Sequence, residues 1–307
     1  MMDWTDRHCR YFLRQVSSSA RLYTEMITTG ALLHGDVKRH LEFSPQEHPL
    51  AVQLGGCDPT ELSTCAKIAE QYGYDEINLN IGCPSERVQK GAFGACLMAE
   101  PALVAQCVEK LVTAVKLPVT VKHRIGINRT EDYGFVRTFV QTVSEAGCAT
   151  FIVHARNAVL KGLSPKENRE IPPLNYGYVH RLKRDFPSLE IVINGGITTT
   201  QQIQQQLEQV DGVMLGRAAY HDSWLLADPG RTRAEVVLAM FDYVQREIKN
   251  GVSLRAVTRH LLGLYHGCRN ARLWRRMLSD AALLNKNDPA LLLRALEAVE
   301  PSYAEAA

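Results

Sequence analysis

LAVQLGGCDPTELSTCAKIAEQYGYDEINLNIGCP, residues 50–84, holds one complete strand–helix–strand unit. The run LAVQL (50–54) is β-rich, and the segment 59–72 places its apolar residues at three and four spacing. EINLNI (76–81) then returns to a strand pattern. The same alternation extends in both directions. Further β-rich runs are LYTEM (22–26), VTVKHR (119–124), FIVHA (151–155), IVIN (191–194) and GVML (212–215), with amphipathic stretches at 101–115, 132–146 and 199–209. Strands alternating with helices imply a parallel sheet. Seven runs are visible where a TIM (β/α)8 barrel has eight strands. The chain opens on what reads as a strand tail or the loop after it, then turns helical at Arg7–Gln15. The expectation is a barrel whose first strand is truncated, most of it lying upstream of Met1; the alternative is an open seven-stranded sheet. Polar residues near nearly every strand end favour the barrel: Glu25, Gln53, Asn78, Asn80, Lys122, His123, His154, Asn194 and then Arg217. Barrel enzymes assemble their sites at that face from several strands, whereas a doubly wound sheet concentrates its signal at one or two crossovers.

With 307 residues there is room for one large α/β domain and a small appendage. From about Arg231 the alternation gives way to helices, with Val236, Val237, Met240, Phe241, Val244 and Ile248 on one apolar face. Ser253 and Asn270 are candidate caps of the following helices, and Asp288-Pro289 reads as the start of the last. The expected domains are therefore 1–228 and an all-helical 229–307, joined near Asp228-Pro229-Gly230. The net charge of +2 does not by itself announce a nucleic-acid binder, so any RNA contact must come from local clusters. No run approaches the roughly 20 apolar residues that span a bilayer, and MMDWTDRHCR carries charges where a signal peptide would be apolar. Eight cysteines without a C-x-x-C pair argue against a zinc site and a disulfide scaffold, and point to a reducing, cytoplasmic setting.

Three features carry chemistry. In Asn78-Leu79-Asn80-Ile81-Gly82-Cys83-Pro84, Pro84 stops the strand, Gly82 permits a tight turn, and Cys83 sits on the loop above the strand ends. Its thiol can be an acid, a base or a nucleophile, or merely structural; the other seven cysteines read as structural. Asn194-Gly195-Gly196 and Gly216-Arg217 end the last two strands, where barrels often bind phosphate. Lys122 suits a Schiff base, charge stabilisation beside a flavin, or a plain ion pair. His154 is either a site residue or a satisfied core histidine. Two stretches concentrate positive charge. Arg269, Arg272, Arg275 and Arg276 form a ridge backed by Leu273, Trp274, Met277, Leu278 and Ala281, and the loop 161–174 carries Lys161, Lys166 and Arg169.

The motifs DWTDRHCR, LAVQLGG, INLNIGCPS, VKHRIG, VHAR, GLSPKENREIPPL, NGGI and MLGRAAY, in this order along nearly the whole chain, resemble those of the tRNA-dihydrouridine synthases. The resemblance is closest to the subgroup acting at and beside position 20 of the D-loop. It implies NADPH-driven, FMN-dependent reduction of uridine, with Cys83 as the proton donor. Gln53, Lys122 and His154 are implied as FMN contacts, and Asn194, Gly195, Gly196, Gly216 and Arg217 as the phosphate cradle. Met1 and Met2 fall in the family's first flavin-contacting loop, whose preceding Ala-Pro and strand are missing here. The expected tRNA contacts are Asn80, Lys166, Arg169, Arg272, Arg275 and Arg276. No metal, no membrane association and no protein partner is implied, and a monomer is expected. The competing readings are another FMN barrel such as a dihydroorotate dehydrogenase, an aldolase-type barrel using Lys122, and an RNA-binding module without catalysis. The basic tail and the GLSPKENR loop speak against the first, because a small substrate needs neither.

Overall fold

The computed structural model describes residues 1–128 and 132–301, apart from the side chains of Arg87 and Lys90. Its strands are β1 (Leu22–Thr28), β2 (Leu50–Gly55), β3 (Glu76–Ile81), β4 (Val119–Arg124), β5 (Thr150–His154), β6 (Glu190–Asn194) and β7 (Gly212–Met214). They form one sheet in the order β1-β2-β3-β4-β5-β6-β7, and the pairs from β2 to β7 are parallel. A doubly wound sheet reverses its strand order at a switch point. Here each strand lies beside its neighbour in sequence, and the helices Pro59–Tyr72, Pro101–Ala114 and Tyr133–Glu145 pack on one another in the same succession. That single direction of winding is TIM-like.

Side-chain alternation gives the sheet two chemically distinct faces. Val52, Leu54, Ile77, Leu79, Ile81, Val121, Phe151, Val153, Ile191 and Ile193 are fully buried and form the apolar face. The registers Gln53↔Asn78, Asn78↔Thr120, Asn80↔Lys122, Arg124↔His154 and His154↔Asn194 place the polar residues together on the opposite, inner face. His123, expected beside Lys122 at the site, lies on the apolar face instead. Its ring centroid is 5.0 Å from that of Phe139 and 5.8 Å from that of Phe151. Burial lowers its pKa to about 4, so it serves there as a neutral core residue.

The chain folds into two compact units: Tyr23–Glu42 with Pro49–Gly216, and Met1–Leu22 with Phe43–His48 and the residues from Arg217 on. In the second unit the helix Arg7–Val16 packs against Arg233–Lys249 and Leu254–Leu261, so an N-terminal helix joins those of the tail. Asp6 caps that first helix by accepting from the N–H groups of His8 and Cys9. Arg10 donates to the buried Glu47 at 2.6 Å. Ser253 and Asn270 precede their helices without a side-chain capping bond. Asp288 accepts from the Ala290 N–H at 3.0 Å, one turn ahead of Leu291–Val299. Ala281 does not back the basic ridge: the ridge helix ends at Ser279, and Ala281 opens a separate short helix, exposed.

Beyond β3 the chain doubles back. Ser85 caps the short helix Glu86–Lys90 through the Val88 N–H, and the Ala95 N–H then donates to the Cys83 carbonyl at 2.9 Å. Gly94 makes this return possible. Its φ is +79°, and a Cβ there would stand 2.6 Å from the Cys83 carbonyl oxygen. Gly94→Ala is therefore expected to cost about 1–3 kcal/mol in chemical denaturation. It should also displace the Cys83 turn; a variant with parental stability would show that the return does not depend on glycine.

Candidate active site

Tyr23 and Thr120 both donate to Oε1 of Glu76, at 3.1 and 2.6 Å, which anchors the deep end of the inner face. Asn78 donates to Thr120 at 2.8 Å and accepts from Gln53 at 2.8 Å; Gln53 in turn accepts from Asn80 at 2.7 Å. The chain of amides reaches the cysteine turn, because Oδ1 of Asn80 accepts from the N–H groups of Gly82 and Cys83 at 3.1 and 3.0 Å. Cys83 is half-buried, with its Sγ 3.6 Å from the Ser85 hydroxyl. The Asn80 carboxamide thus shapes the turn that presents the thiol.

Across the face, Nζ of Lys122 donates to Oδ1 of Asn194 at 3.2 Å, and Asn194 donates to the Met214 carbonyl at 2.8 Å. Arg124, two residues beyond Lys122 on the same face, is buried and donates to the carbonyls of Gly82, Asn157 and Asn168. Sequence reading passed over Arg124 although the period of two points to it. Lys122 has its pKa lowered to about 8 by burial, with Arg124 adding repulsion. Burial and the neighbouring Arg124, Lys122, Arg156 and Arg169 hold His154 well below the ordinary histidine value, so its imidazole is neutral. A cluster of cations at strand ends favours an anionic occupant.

The turn after β6 is built for close approach. Gly195 has φ +116°, and a Cβ there would meet Cδ2 of His154 at 2.6 Å. Gly196 has φ +71°, and a Cβ there would come within 3.2 Å of the Tyr176 hydroxyl. Tyr176 fixes the turn by donating to the Gly195 carbonyl at 2.7 Å. On β1, the same alternation that puts Tyr23 against Glu76 puts Glu25 on the inner face, where its Oε1 is buried without a hydrogen-bond partner among the described residues. Glycine backbone at Gly195-Gly196, clustered cations, a lysine with donor capacity to spare and an orphaned acceptor fit a phosphorylated, hydroxyl-bearing cofactor.

The structure brings Gln53, Asn80, Cys83, Lys122, His154, Asn194, Gly195 and Gly196 together in the sheet unit, whose last residue is Gly216. Met1 and Met2 are exposed, and Arg217 opens the helix Arg217–His221; all three belong to the other unit. Lys166 and Arg169 are exposed on a loop organised around the fully buried Asn168, which accepts from the Val159 N–H at 2.7 Å and donates to its carbonyl at 2.9 Å. Arg272, Arg275 and Arg276 are exposed on the helix Ala271–Ser279, while Trp274 and Leu278 are buried beneath them. Among the described residues, no group of three or more His, Cys, Asp or Glu side chains is placed to hold a metal. Among the same described residues, no helix is long and apolar enough to cross a membrane.

Residues 1–300 match the family Dihydrouridine synthase (Dus). The chain is 56% identical to a tRNA-dihydrouridine(20/20a) synthase of Synechocystis over 97% of this chain and 92% of that protein. It is 57% identical to the protein of the same name in Pasteurella multocida, over 92% of this chain and 89% of that one. A third protein of that name, in Pseudomonas putida, is 56% identical over 91% and 86%. With a family match across nearly its whole length and relatives this similar, the chain belongs to the dihydrouridine synthase family.

Proposed function

We propose that this protein reduces uridine to 5,6-dihydrouridine at positions 20 and 20a in the D-loop of tRNA, with FMN as its bound cofactor and NADPH as the reductant. The observation that carries the reading is the bonded path from Gln53 through Asn80 to the backbone of Cys83. It joins the face proposed to hold the flavin to the proposed acid. The names of the relatives supply the substrate.

When bound, FMN supplies the hydride that reaches C6 of the uracil, and NADPH restores it. Gln53, Lys122, His154 and Asn194 are the residues to hold the cofactor's ring and chain. Gly195 and Gly196, with Gly216 and Arg217, would cradle its phosphate through close backbone approach and charge; Met1 and Met2 remain proposed contacts. Lys122 would place positive charge beside the cofactor when it is bound. Cys83 gives its proton to C5 of the uracil, and Asn80 keeps the turn in position to do so. The target base must leave its stack to reach this site. Catalysis is assigned to residues 1–228 and tRNA docking chiefly to 229–307. Lys166 and Arg169 contribute phosphate contacts from the first segment, and Arg272, Arg275 and Arg276 from the second.

Cys83→Ala should keep bound FMN, visible as a yellow protein, while multiple-turnover dihydrouridine formation falls by about 100-fold or more. Undiminished turnover would remove Cys83 as the donor. Because Lys122 loses its proton as pH rises through about 8, activity should decline over that range. Lys122→Arg, whose guanidinium stays charged, should move the decline upward; a decline at the same pH in both proteins would assign it to another group. Replacing Arg272, Arg275 and Arg276 together with alanine should lower the slope of log affinity for tRNA against log salt by about 2–3. An unchanged slope would show that the ridge does not meet phosphates.

A further inference from the structure

Both residues flanking Cys83 are tied to one distant loop. On the N-terminal side, Nε of Arg124 donates to the Gly82 carbonyl at 3.2 Å, while its Nη1 donates to the carbonyls of Asn157 and Asn168 at 3.1 and 2.9 Å. On the C-terminal side, Nε2 of Gln89 donates to the Pro84 carbonyl at 2.8 Å and to the Leu160 carbonyl at 2.7 Å. The two N–H groups of one amide are thereby committed to two carbonyls 76 positions apart in the chain (84 and 160). A carboxamide oxygen facing two carbonyl oxygens would be repelled, so the orientation of the Gln89 amide is determined. The loop being gripped is itself ordered: buried Asn168 donates to the carbonyls of Val159 and Leu163, at 2.9 and 3.2 Å.

We propose that Gln89 is a positioning residue for Cys83, a latch that fixes the cysteine turn to the 157–169 loop and so sets where the thiol stands. The inference rests on the assignment of Cys83 as proton donor. It adds that the stance of the thiol depends on a loop outside its own turn, the same loop that carries Lys166 and Arg169. Phosphate docking on that loop would thus be passed to the thiol through two side chains, Gln89 and Arg124.

Gln89→Glu is the decisive variant, because it keeps size and shape while replacing both donors with an oxygen. A residue that only fills space would tolerate it. Gln89→Ala removes the latch without adding repulsion. In the full-length protein, iodoacetamide labelling of each cysteine is followed by peptide mass spectrometry, with Cys268 and the buried Cys148 as internal references. Turnover of tRNA is measured alongside. The latch predicts that Gln89→Glu raises Cys83 labelling about tenfold relative to both references. It also predicts a kcat about tenfold lower with a KM for tRNA within about twofold, and Gln89→Ala shifting the same way by less. Cys83 labelling and kcat both within about twofold of the parent in Gln89→Glu would overturn it. So would a rise shared by Cys148 and Cys268, or faster Cys83 labelling with an unchanged kcat. If Cys83→Ala keeps full activity, the donor assignment fails on its own. The labelling result stays separate, since it reads the turn and not the reaction.

Discussion

The Asn80 carboxamide is the interaction on which the site turns. One oxygen accepts two successive backbone N–H groups at the point where β3 ends, and the nitrogen of the same group is held by Gln53. Without it, two buried or half-buried donors in a tight turn would need other partners, at a cost comparable to a lost hydrogen bond for each. Its reach extends further, because Gln53, Asn78, Thr120, Glu76 and Tyr23 continue the same bonded path into the sheet. In a low-dielectric interior such a path stiffens its members when every link is satisfied. The thiol is thus displayed on a turn whose geometry is set by the strands beneath it.

The electrostatics of the face have a different origin. Lys122, Arg124 and Arg156 are gathered near His154, and burial first, then the neighbouring positive charges, lowers the pKa values of Lys122, Arg124 and His154. A fold selected only for stability gains little from burying cations such as Lys122 and Arg124. The cost of that burial at strand ends, beside two glycines with positive φ, is of the kind that functional sites carry.

The alternating β-rich runs and the helices between them were readable because burial on both sides of a parallel strand leaves a strong local pattern. All seven strands lie where the runs at 22–26 through 212–215 place them, with ends differing by one or two residues. What escaped was nonlocal. Gly94 is one glycine among many until its φ and its distance to Cys83 are known, and Gln89 is an ordinary helix residue until the chain brings Leu160 to it. The helix Arg7–Val16 could be located, but its packing against the tail helices could not, because an amphipathic face does not name its partner. Arg124 was within reach of sequence reasoning, since it repeats the phase of Thr120 and Lys122.

That phase links stability to chemistry. β4 carries Lys122 and His123 side by side, and only the register decides which of them reaches the inner face. His123 fits between Phe139 and Phe151 as a neutral ring. A slip of one residue would push the Lys122 ammonium into that aromatic contact and turn His123 toward Asn80 and Asn194. Burying an unpaired ammonium among aromatic rings costs far more than burying a neutral imidazole. The apolar packing outside the sheet therefore does more than hold the helices: it excludes the one-residue slips in which the lysine would be lost from the site.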